Sequence, residues 1–241
     1  NVPVISVSED MSIIAVYVGA EKHQLVPIPR LLDRANQALQ TLERYKERLV
    51  EVSNSLSALE VEDLVSIRDV VMLLQRTEMV LRIAEEIETD IVELGVDGRL
   101  VRLQLEEVLA GVEDERRLVV VDYLHEENDW HLEEAMSGLA RLDTELLLDL
   151  KTVAEVLHLP EGVGELDAPV QPKGYRLLAR IPRLPEPVIT KVVERFGNLA
   201  KIMRATEHDL DQVEGVGDHR AKAIKEGLGR LAESSILDHY S

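Results

Sequence analysis

Two glycines near the C-terminus have the spacing of a site that binds an anion through the backbone. Gly215 and Gly217 flank Val216 in a turn between two short helical patterns. Because glycine has no Cβ, the backbone can approach an anion closely, and the amides that begin the next helix are unsatisfied and partly positive. A phosphate oxygen fits these donors. The spacing is typical of a helix-hairpin-helix, a module that holds nucleic-acid phosphates.

Residues around this turn supply further groups for the same contact. Val216 is expected to turn inward and to lock the hairpin against Ala221 and Ile224. The basic residues that follow can approach the same backbone. We predict DNA contacts from Gly215, Val216, Gly217, His219, Arg220, Lys222 and Lys225. The alternative is a hairpin that only packs helices or mediates self-association.

Another hairpin of similar shape, which comes first in the chain, lies one unit upstream at Ile181–Pro185. It lacks the glycines: Pro185 has no amide hydrogen, and Arg183 carries a side chain where bare backbone is needed. We therefore predict a mainly structural hairpin, with Arg183 adding a salt-type contact to DNA.

The charge is unevenly distributed along the 241 residues. The net charge is −19, but residues 170–241 hold 12 Lys and Arg against 10 Asp and Glu, which leaves 15 against 36 in residues 1–169. An acidic body repels nucleic acid, so binding should be confined to the C-terminal region. Aromatic residues are only 3%, which favours backbone contacts over base stacking and predicts no sequence specificity.

The hydrophobic pattern predicts a mainly α fold with a short β-meander at the N-terminus. Alternating apolar residues over 4–25 indicate three strands, which have apolar residues on both faces and should belong to a larger sheet. A long amphipathic helix is predicted over 28–58, and Ser57–Glu60 has the pattern of a capping box that starts a second. The two helices should form an antiparallel hairpin, the helical spine.

Shorter helices are predicted after the spine, and a breaker-rich stretch then marks the best domain boundary. Helices are expected near 100–110, 113–125, 131–140 and 143–157, and again near 174–180, 187–195, 198–204, 207–213 and 219–232. The predicted domains are 1–26 for the sheet, 27–159 for the spine, 160–173 for a linker and 174–241 for the tandem helix-hairpin-helix domain.

Several segments, in this order along the chain, together match one known family. Those of the predicted spine are Arg34–Leu39, Leu42–Tyr45, Arg68–Val70, Glu93–Gly95 and Leu103–Glu107, and those of the C-terminal region are Gly174–Arg176, Ile181–Pro185, Phe196–Gly197 and Val213–Gly217. They resemble the bacterial DNA integrity scanning (DisA) family, and Pro3–Glu9 resembles a late strand of that family's N-terminal cyclase domain. The sequence begins at Asn1 rather than Met, and we expect a fragment or a processed product.

The resemblance implies an octameric diadenylate cyclase that acts in a DNA damage checkpoint and in DNA repair. Such an enzyme condenses two ATP molecules into cyclic di-AMP with Mg²⁺ or Mn²⁺, and branched or junction DNA inhibits it. The family's Asp-Gly-Ala and Arg-His-Arg tripeptides do not occur in this sequence, so the chain alone is expected to be inactive and to need no cofactor. Only Ser8, as a base-side nucleotide contact, and Glu9, as a metal contact, correspond to the nucleotide pocket; the alternative is two ordinary strand-end polar residues.

Other functions have weaker support in the sequence. The acidic stretch His125–His131 lacks the helical spacing of a histidine pair, which favours a solvated loop over a metal site. Cysteine is absent, and this excludes disulfides and thiolate zinc sites. No apolar run long enough for a membrane span occurs, and we expect a cytoplasmic, nucleoid-associated protein. The alternative function is a non-catalytic helical scaffold whose terminal module binds a protein partner.

Overall fold

The fold is mainly helical, as the hydrophobic pattern predicts, with a small sheet at the N-terminus. The computed structural model describes residues 4–7, 13–18, 21–24, 26–124, 132–158 and 166–239. Within these ranges lie three strands, twelve α-helices and one short 3₁₀ turn.

The sheet is an antiparallel meander. Its strands are β1 (Val4–Val7), β2 (Ile13–Val18) and β3 (Glu21–Gln24), in the order β1-β2-β3. Ala15 pairs with Ser6 on one side and with Gln24 on the other. Most of the described apolar side chains of β1 and β2 are exposed, namely those of Val4, Ile5, Val7, Ile13, Tyr17 and Val18.

Two long helices follow, α1 (Ile28–Glu62) and α2 (Ile67–Leu94). Arg34 near the start of α1 forms an ion pair with Asp90 near the end of α2, so the helices run antiparallel, as predicted. Their buried stripes consist of aliphatic residues three and four positions apart, which is the pattern of an amphipathic helix. The stripe of α1 includes Leu31, Ala35, Leu39, Leu42, Leu49 and Leu56.

The prediction that a second helix starts at Ser57 was wrong, because α1 continues through this segment. The Ser57 hydroxyl donates to the Ser53 carbonyl inside the helix, over 2.8 Å, and Glu60 is buried and bound to distant groups. The cap of α2 is instead Ser66, whose N–H and hydroxyl both donate to the Asp69 carboxylate. Local sequence permits both caps, and long-range contacts of Glu60 select the second.

Shorter helices complete the first two thirds of the chain. After a 3₁₀ turn at Gly95–Gly98 come α3 (Arg99–Leu109), α4 (Val112–Tyr123), α5 (Leu132–Arg141), α6 (Thr144–Leu148) and α7 (Leu150–Val156). The single helix predicted over 143–157 is in fact two, because Asp149 has extended backbone angles and its carboxylate accepts the Lys151 N–H to cap α7.

The C-terminal part contains five helices around one core. They are α8 (Tyr175–Ala179), α9 (Glu186–Phe196), α10 (Leu199–Arg204), α11 (Glu207–Asp211) and α12 (Gly217–His239). Every one of these helices contributes aliphatic side chains to a buried cluster that includes Leu178, Val192, Ile202, Leu210 and Ile224.

The chain forms two compact units. The first consists of Asn1–Arg44 and Val80–Ala110, and the second of Tyr45–Met79 and Gly111–Ser241. Within the second unit, residues at the end of the predicted linker bind the start of α2: the Arg68 N–H donates to the Leu166 carbonyl, and the Val170 N–H to that of Val65. The predicted domain limits stay a prediction. In the described ranges, no helix has the length and apolar character needed to span a membrane.

Candidate nucleic-acid interface

The predicted anion-binding hairpin joins α11 to α12. A capping box starts α11: the Thr206 hydroxyl accepts the Asp209 N–H, and the Asp209 carboxylate accepts the Thr206 N–H. This cap fixes the first turn of α11, and Leu210 anchors the helix in the core with no exposed surface. A short turn follows α11, and the chain enters α12 at Gly217.

Positive backbone dihedrals shape the turn. Gly215 has φ of +88° and Gly217 has φ of +60°, angles that residues with a Cβ adopt only with strain. Between them, the Val216 N–H donates to the Val213 carbonyl over 3.0 Å, and the Val216 side chain is 3% exposed. The prediction that Val216 turns inward is confirmed, and its side chain packs in the buried cluster of the C-terminal helices.

The surface above the two glycines is open. A Cβ built on Gly217 meets no described atom within 4 Å, and one built on Gly215 meets only a Val188 methyl at 3.7 Å. The N–H groups in the first turn of an α-helix have no partner inside the helix. The backbone N–H groups of Gly217, Asp218 and His219 also have no acceptor outside α12 in the described part of the chain. They are therefore available to an anion.

The predicted basic residues are placed in different ways. Arg220 is exposed, and its guanidinium donates to the Gly215 carbonyl over 2.6 Å, which holds positive charge beside the turn. Lys222 is also exposed, with its ammonium 3.8 Å from Glu226. Lys225 instead donates to the Met203 carbonyl over 2.8 Å and is half-buried. His219 is exposed next to the free amides.

Acidic residues also lie at this surface. Asp218 occupies the first turn of α12, where a carboxylate competes with a bound anion for the same amides. Glu214 is exposed and lies 3.1 Å from the Lys191 ammonium. The hairpin surface is thus of mixed charge, and its positive character depends on the backbone as well as on side chains.

The upstream hairpin has the same backbone geometry as the hairpin at Gly215, although its residues differ. Arg183 has φ of +63°, in the place that Gly215 takes in the second hairpin, and the Leu184 N–H donates to the Ile181 carbonyl. Helix α9 follows Pro185 and begins with Glu186, which forms an ion pair with Arg117. The Arg183 side chain is exposed. This turn keeps its shape without presenting a bare backbone.

A buried arginine anchors the first hairpin to the helices that precede it. Arg176 in α8 is completely buried, and its guanidinium donates to Glu60 at 2.5 Å and to Glu115 at 2.8 Å. The same guanidinium donates to the carbonyl and to the hydroxyl of Ser53. Tyr123 donates to the other oxygen of Glu60. We call Ser53, Glu60, Glu115, Asp122, Tyr123 and Arg176 the anchor cluster.

Asp122 of α4 caps helix α8 within this cluster. Its carboxylate accepts the backbone N–H groups of Gly174, Tyr175 and Arg176 at 2.6 to 2.8 Å. Burial raises the pKa of Asp122 to about 7, with the nearby Glu60 charge adding to the rise, while the three N–H groups oppose it. Burial likewise raises the pKa of Glu60.

Sequence reasoning found only part of the anchor cluster. Gly174–Arg176 stands out as a family segment, but nothing local connects Arg176 with Glu60, which is 116 positions away.

The residues predicted for a nucleotide or metal site, Ser8, Glu9 and the stretch His125–His131, lie outside the described residues. In the ranges that the structure describes, no three His, Asp or Glu side chains are grouped so as to hold a metal ion.

The paired hairpins, packed on one core and tied to a helical body, define a helical protein with a C-terminal tandem-hairpin region. Comparison with known proteins identifies the family. Residues 25–166 match the family model described as the DisA bacterial checkpoint controller linker region. This chain belongs to the DisA family.

Curated relatives support the same family over almost the whole chain. DNA integrity scanning protein DisA of Acidothermus cellulolyticus is 56% identical over 241 residues, and that of Streptomyces coelicolor is 52% identical. Each match covers 99% of this chain, but only 65% and 64% of the relative, respectively. The chain therefore spans about two thirds of the length of these relatives.

Proposed function

We propose that the hairpin between α11 and α12 binds the phosphates of the DNA backbone without sequence preference. The observation that carries this proposal is the open turn at Gly215 and Gly217, where the first N–H groups of α12 have no partner in the described part of the chain. A phosphate placed there would accept these N–H groups and would lie at the positive end of a 23-residue helix.

Side chains around the turn would strengthen the contact. Arg220 is held at the Gly215 carbonyl by one nitrogen, which leaves other guanidinium N–H groups for a neighbouring phosphate. Lys222 and His219 are exposed on the same turn of α12, and Arg183 would reach DNA from the first hairpin. In this proposal, Val216 and Lys225 maintain the shape of the hairpin.

The chain would be the DNA-sensing and regulatory part of a diadenylate cyclase. The complete protein would form an octamer, use ATP with Mg²⁺ or Mn²⁺ to make cyclic di-AMP, and be inhibited by branched DNA in the nucleoid. The 241-residue sequence has neither an Asp-Gly-Ala nor an Arg-His-Arg tripeptide, and Ser8 and Glu9 alone cannot position two triphosphates. Incubation of the purified chain with ATP and Mn²⁺ should therefore yield no cyclic di-AMP.

Fluorescence anisotropy with a labelled four-way junction and a linear duplex of the same composition tests DNA binding. Both should bind, the junction more tightly, and the affinity should fall steeply between 50 and 200 mM salt because phosphate contacts release counterions. Changing the base sequence at constant shape should leave affinity unchanged. A salt-independent interaction, or no binding at 50 mM salt, would contradict the proposal and favour a hairpin that docks a protein.

A matched pair of glycine variants isolates the turn. Gly217→Ala places a Cβ in the space proposed for phosphate and should weaken binding about 10-fold, equivalent to about 1.4 kcal/mol. Gly111→Ala is the control, since Gly111 also has positive φ (+77°) and open space around its Cβ position, but precedes α4. An equal loss of affinity in the two variants would show that backbone strain, and not the hairpin surface, governs binding.

A further inference from the structure

A groove lies beside the hairpin proposed to bind DNA, between α9 and the turn that follows α11. Its volume is about 400 Å³. A Cβ built on Gly215 approaches Val188 of α9 at 3.7 Å, so the turn lies directly against this helix. One side of the groove consists of residues of α9, namely Lys191, Glu194 and Arg195, and the other of residues of the turn, namely Gln212, Val213 and Glu214. The groove therefore brings side chains of α9 to the edge of the phosphate site.

One ion pair crosses this groove. The Lys191 ammonium lies 3.1 Å from the Glu214 carboxylate, and the two side chains are 41% and 88% exposed. An ion pair that is so exposed contributes little to stability, because water screens the attraction and two long side chains lose conformational freedom. The pair can therefore be broken at small cost when a stronger anion comes near.

Glu214 is also close to the site proposed for phosphate. It immediately precedes Gly215 and is three residues from Gly217, so its Cα lies within about 11 Å of the Cα of Gly217. A phosphate that binds the first N–H groups of α12 would repel the Glu214 carboxylate and attract the Lys191 ammonium. The ammonium is carried on a flexible four-carbon stem, and it can move towards the phosphate without a shift of α9.

We propose that Lys191 exchanges Glu214 for a DNA phosphate when the hairpin binds DNA, so that Glu214 acts as an internal competitor that lowers the affinity. The exchange rests on the proposed function of the hairpin and adds to it a contact from α9. In the free protein, Glu214 neutralises the charge of Lys191. In the complex, Lys191 contributes a cation beside Arg220 and the backbone amides. Binding breaks one ion pair, which limits the affinity for DNA of any sequence.

A double-mutant cycle on the complete chain tests the exchange, with anisotropy of a labelled linear duplex as the measurement. Lys191→Gln should lower the affinity and reduce the salt slope by about 1, because one phosphate contact is lost. Glu214→Gln should raise the affinity about 10-fold in the unmodified chain but only about 3-fold in the Lys191→Gln background. The gain is smaller in that background because only repulsion between Glu214 and phosphate remains to be removed.

Glu194 provides the matched control. It lines the same groove and is exposed, and it forms no ion pair with another residue that the structure describes. Glu194→Gln removes the same charge, and it should change the affinity by the same factor with and without Lys191. If Glu214→Gln also gives equal gains in both backgrounds, Lys191 and Glu214 stay paired in the complex and the exchange is wrong. If no variant binds DNA at 50 mM salt, the proposed function of the hairpin fails as well.

Chemical labelling of lysines gives a second readout that does not depend on affinity. Saturating duplex should protect Lys191 from acetylation, because a phosphate then covers its ammonium. Lys151, which is exposed on α7, should react at the same rate with and without DNA. Mass spectrometry of the labelled peptides measures both rates. Undiminished acetylation of Lys191 in saturating DNA would overturn the proposal, even if the chain binds the duplex tightly.

Discussion

Arg176 and Glu60 form an ion pair that no solvent reaches, with the Arg176 guanidinium 2.5 Å from the Glu60 carboxylate. The pair joins the first helix of the tandem-hairpin region to the last turn of α1, across 116 positions of sequence. Two buried charges repay their desolvation only when further hydrogen bonds satisfy them. Ser53, Glu115 and Tyr123 supply these bonds. The pair therefore fixes where the hairpin region attaches to the helices before it.

Arg176→Met should be strongly destabilising. The change leaves the Glu60 carboxylate buried without its cation, while Glu115 keeps Arg180 at 3.6 Å. Removing one partner of a buried pair costs about 3 to 5 kcal/mol. Urea unfolding followed by circular dichroism measures the difference. The matched control is Arg68→Met, because Arg68 and Asp167 form an ion pair of similar length at the surface. Equal effects of the two substitutions would mean that the anchor cluster contributes no more than a surface ion pair.

The stability of the protein should fall as pH rises towards 7, and Asp122 should account for part of that fall. Because the folded protein raises the pKa of Asp122 to about 7, the folded state binds a proton between about pH 4 and 7 that the unfolded chain has lost. The contribution of this group is greatest below pH 4 and is lost as pH rises through 7, with a slope of up to about 1.4 kcal/mol per unit.

Asp122→Asn separates this slope from that of the other carboxyl groups. The Asn oxygen can still accept the N–H groups of Gly174 and Tyr175, which share one oxygen of Asp122. Unfolding free energies measured from pH 4 to 8 should decline less steeply for the variant than for the unmodified protein. Identical slopes would show that Asp122 keeps the same pKa on unfolding.

Gly174→Ala should destabilise the protein by at least about 1 kcal/mol more than Gly197→Ala. Both glycines have positive φ, of +116° and +82° respectively. A Cβ on Gly174 would lie 3.1 Å from the Ile202 methyl carbon, whereas one on Gly197 meets only the Lys201 ammonium, at 3.9 Å. Thermal unfolding of the two variants compares two positive-φ positions, of which Gly174 has both the larger φ and the closer contact for a Cβ. Similar losses of stability would indicate that the core yields to the added methyl group.

Lys222 and Lys225 should have opposite phenotypes although they are three residues apart. Lys222→Gln should reduce DNA affinity and lower the salt slope by about 1, because one phosphate contact is lost, with no change in stability. Lys225→Gln should lower the free energy of unfolding by about 1 kcal/mol, because its hydrogen bond to the Met203 carbonyl is lost. Anisotropy and urea unfolding on both variants provide the measurements. Equal salt slopes in the two variants would contradict the assignment of Lys225 to the hairpin's framework.

The sequence alone predicted those features that depend on residues close together in the chain. The glycines at 215 and 217 predicted the hairpin, since a tight turn with positive φ needs residues without a Cβ. Apolar residues three and four apart predicted the first long helix. These signals are local because helices and turns are stabilised mainly by neighbouring residues.

Only the tertiary structure decided which local alternatives are used and what the charged residues do. Glu60 lies in the last turn of α1 and not in a capping box, because Arg176 and Tyr123 bind it. Lys225 supports the core, while Lys222 faces solvent. Asp122 caps a helix that begins 53 residues later. Each of these outcomes depends on groups far apart in sequence. A buried charge is costly unless it is paired and hydrogen-bonded, and only the folded chain brings such partners together.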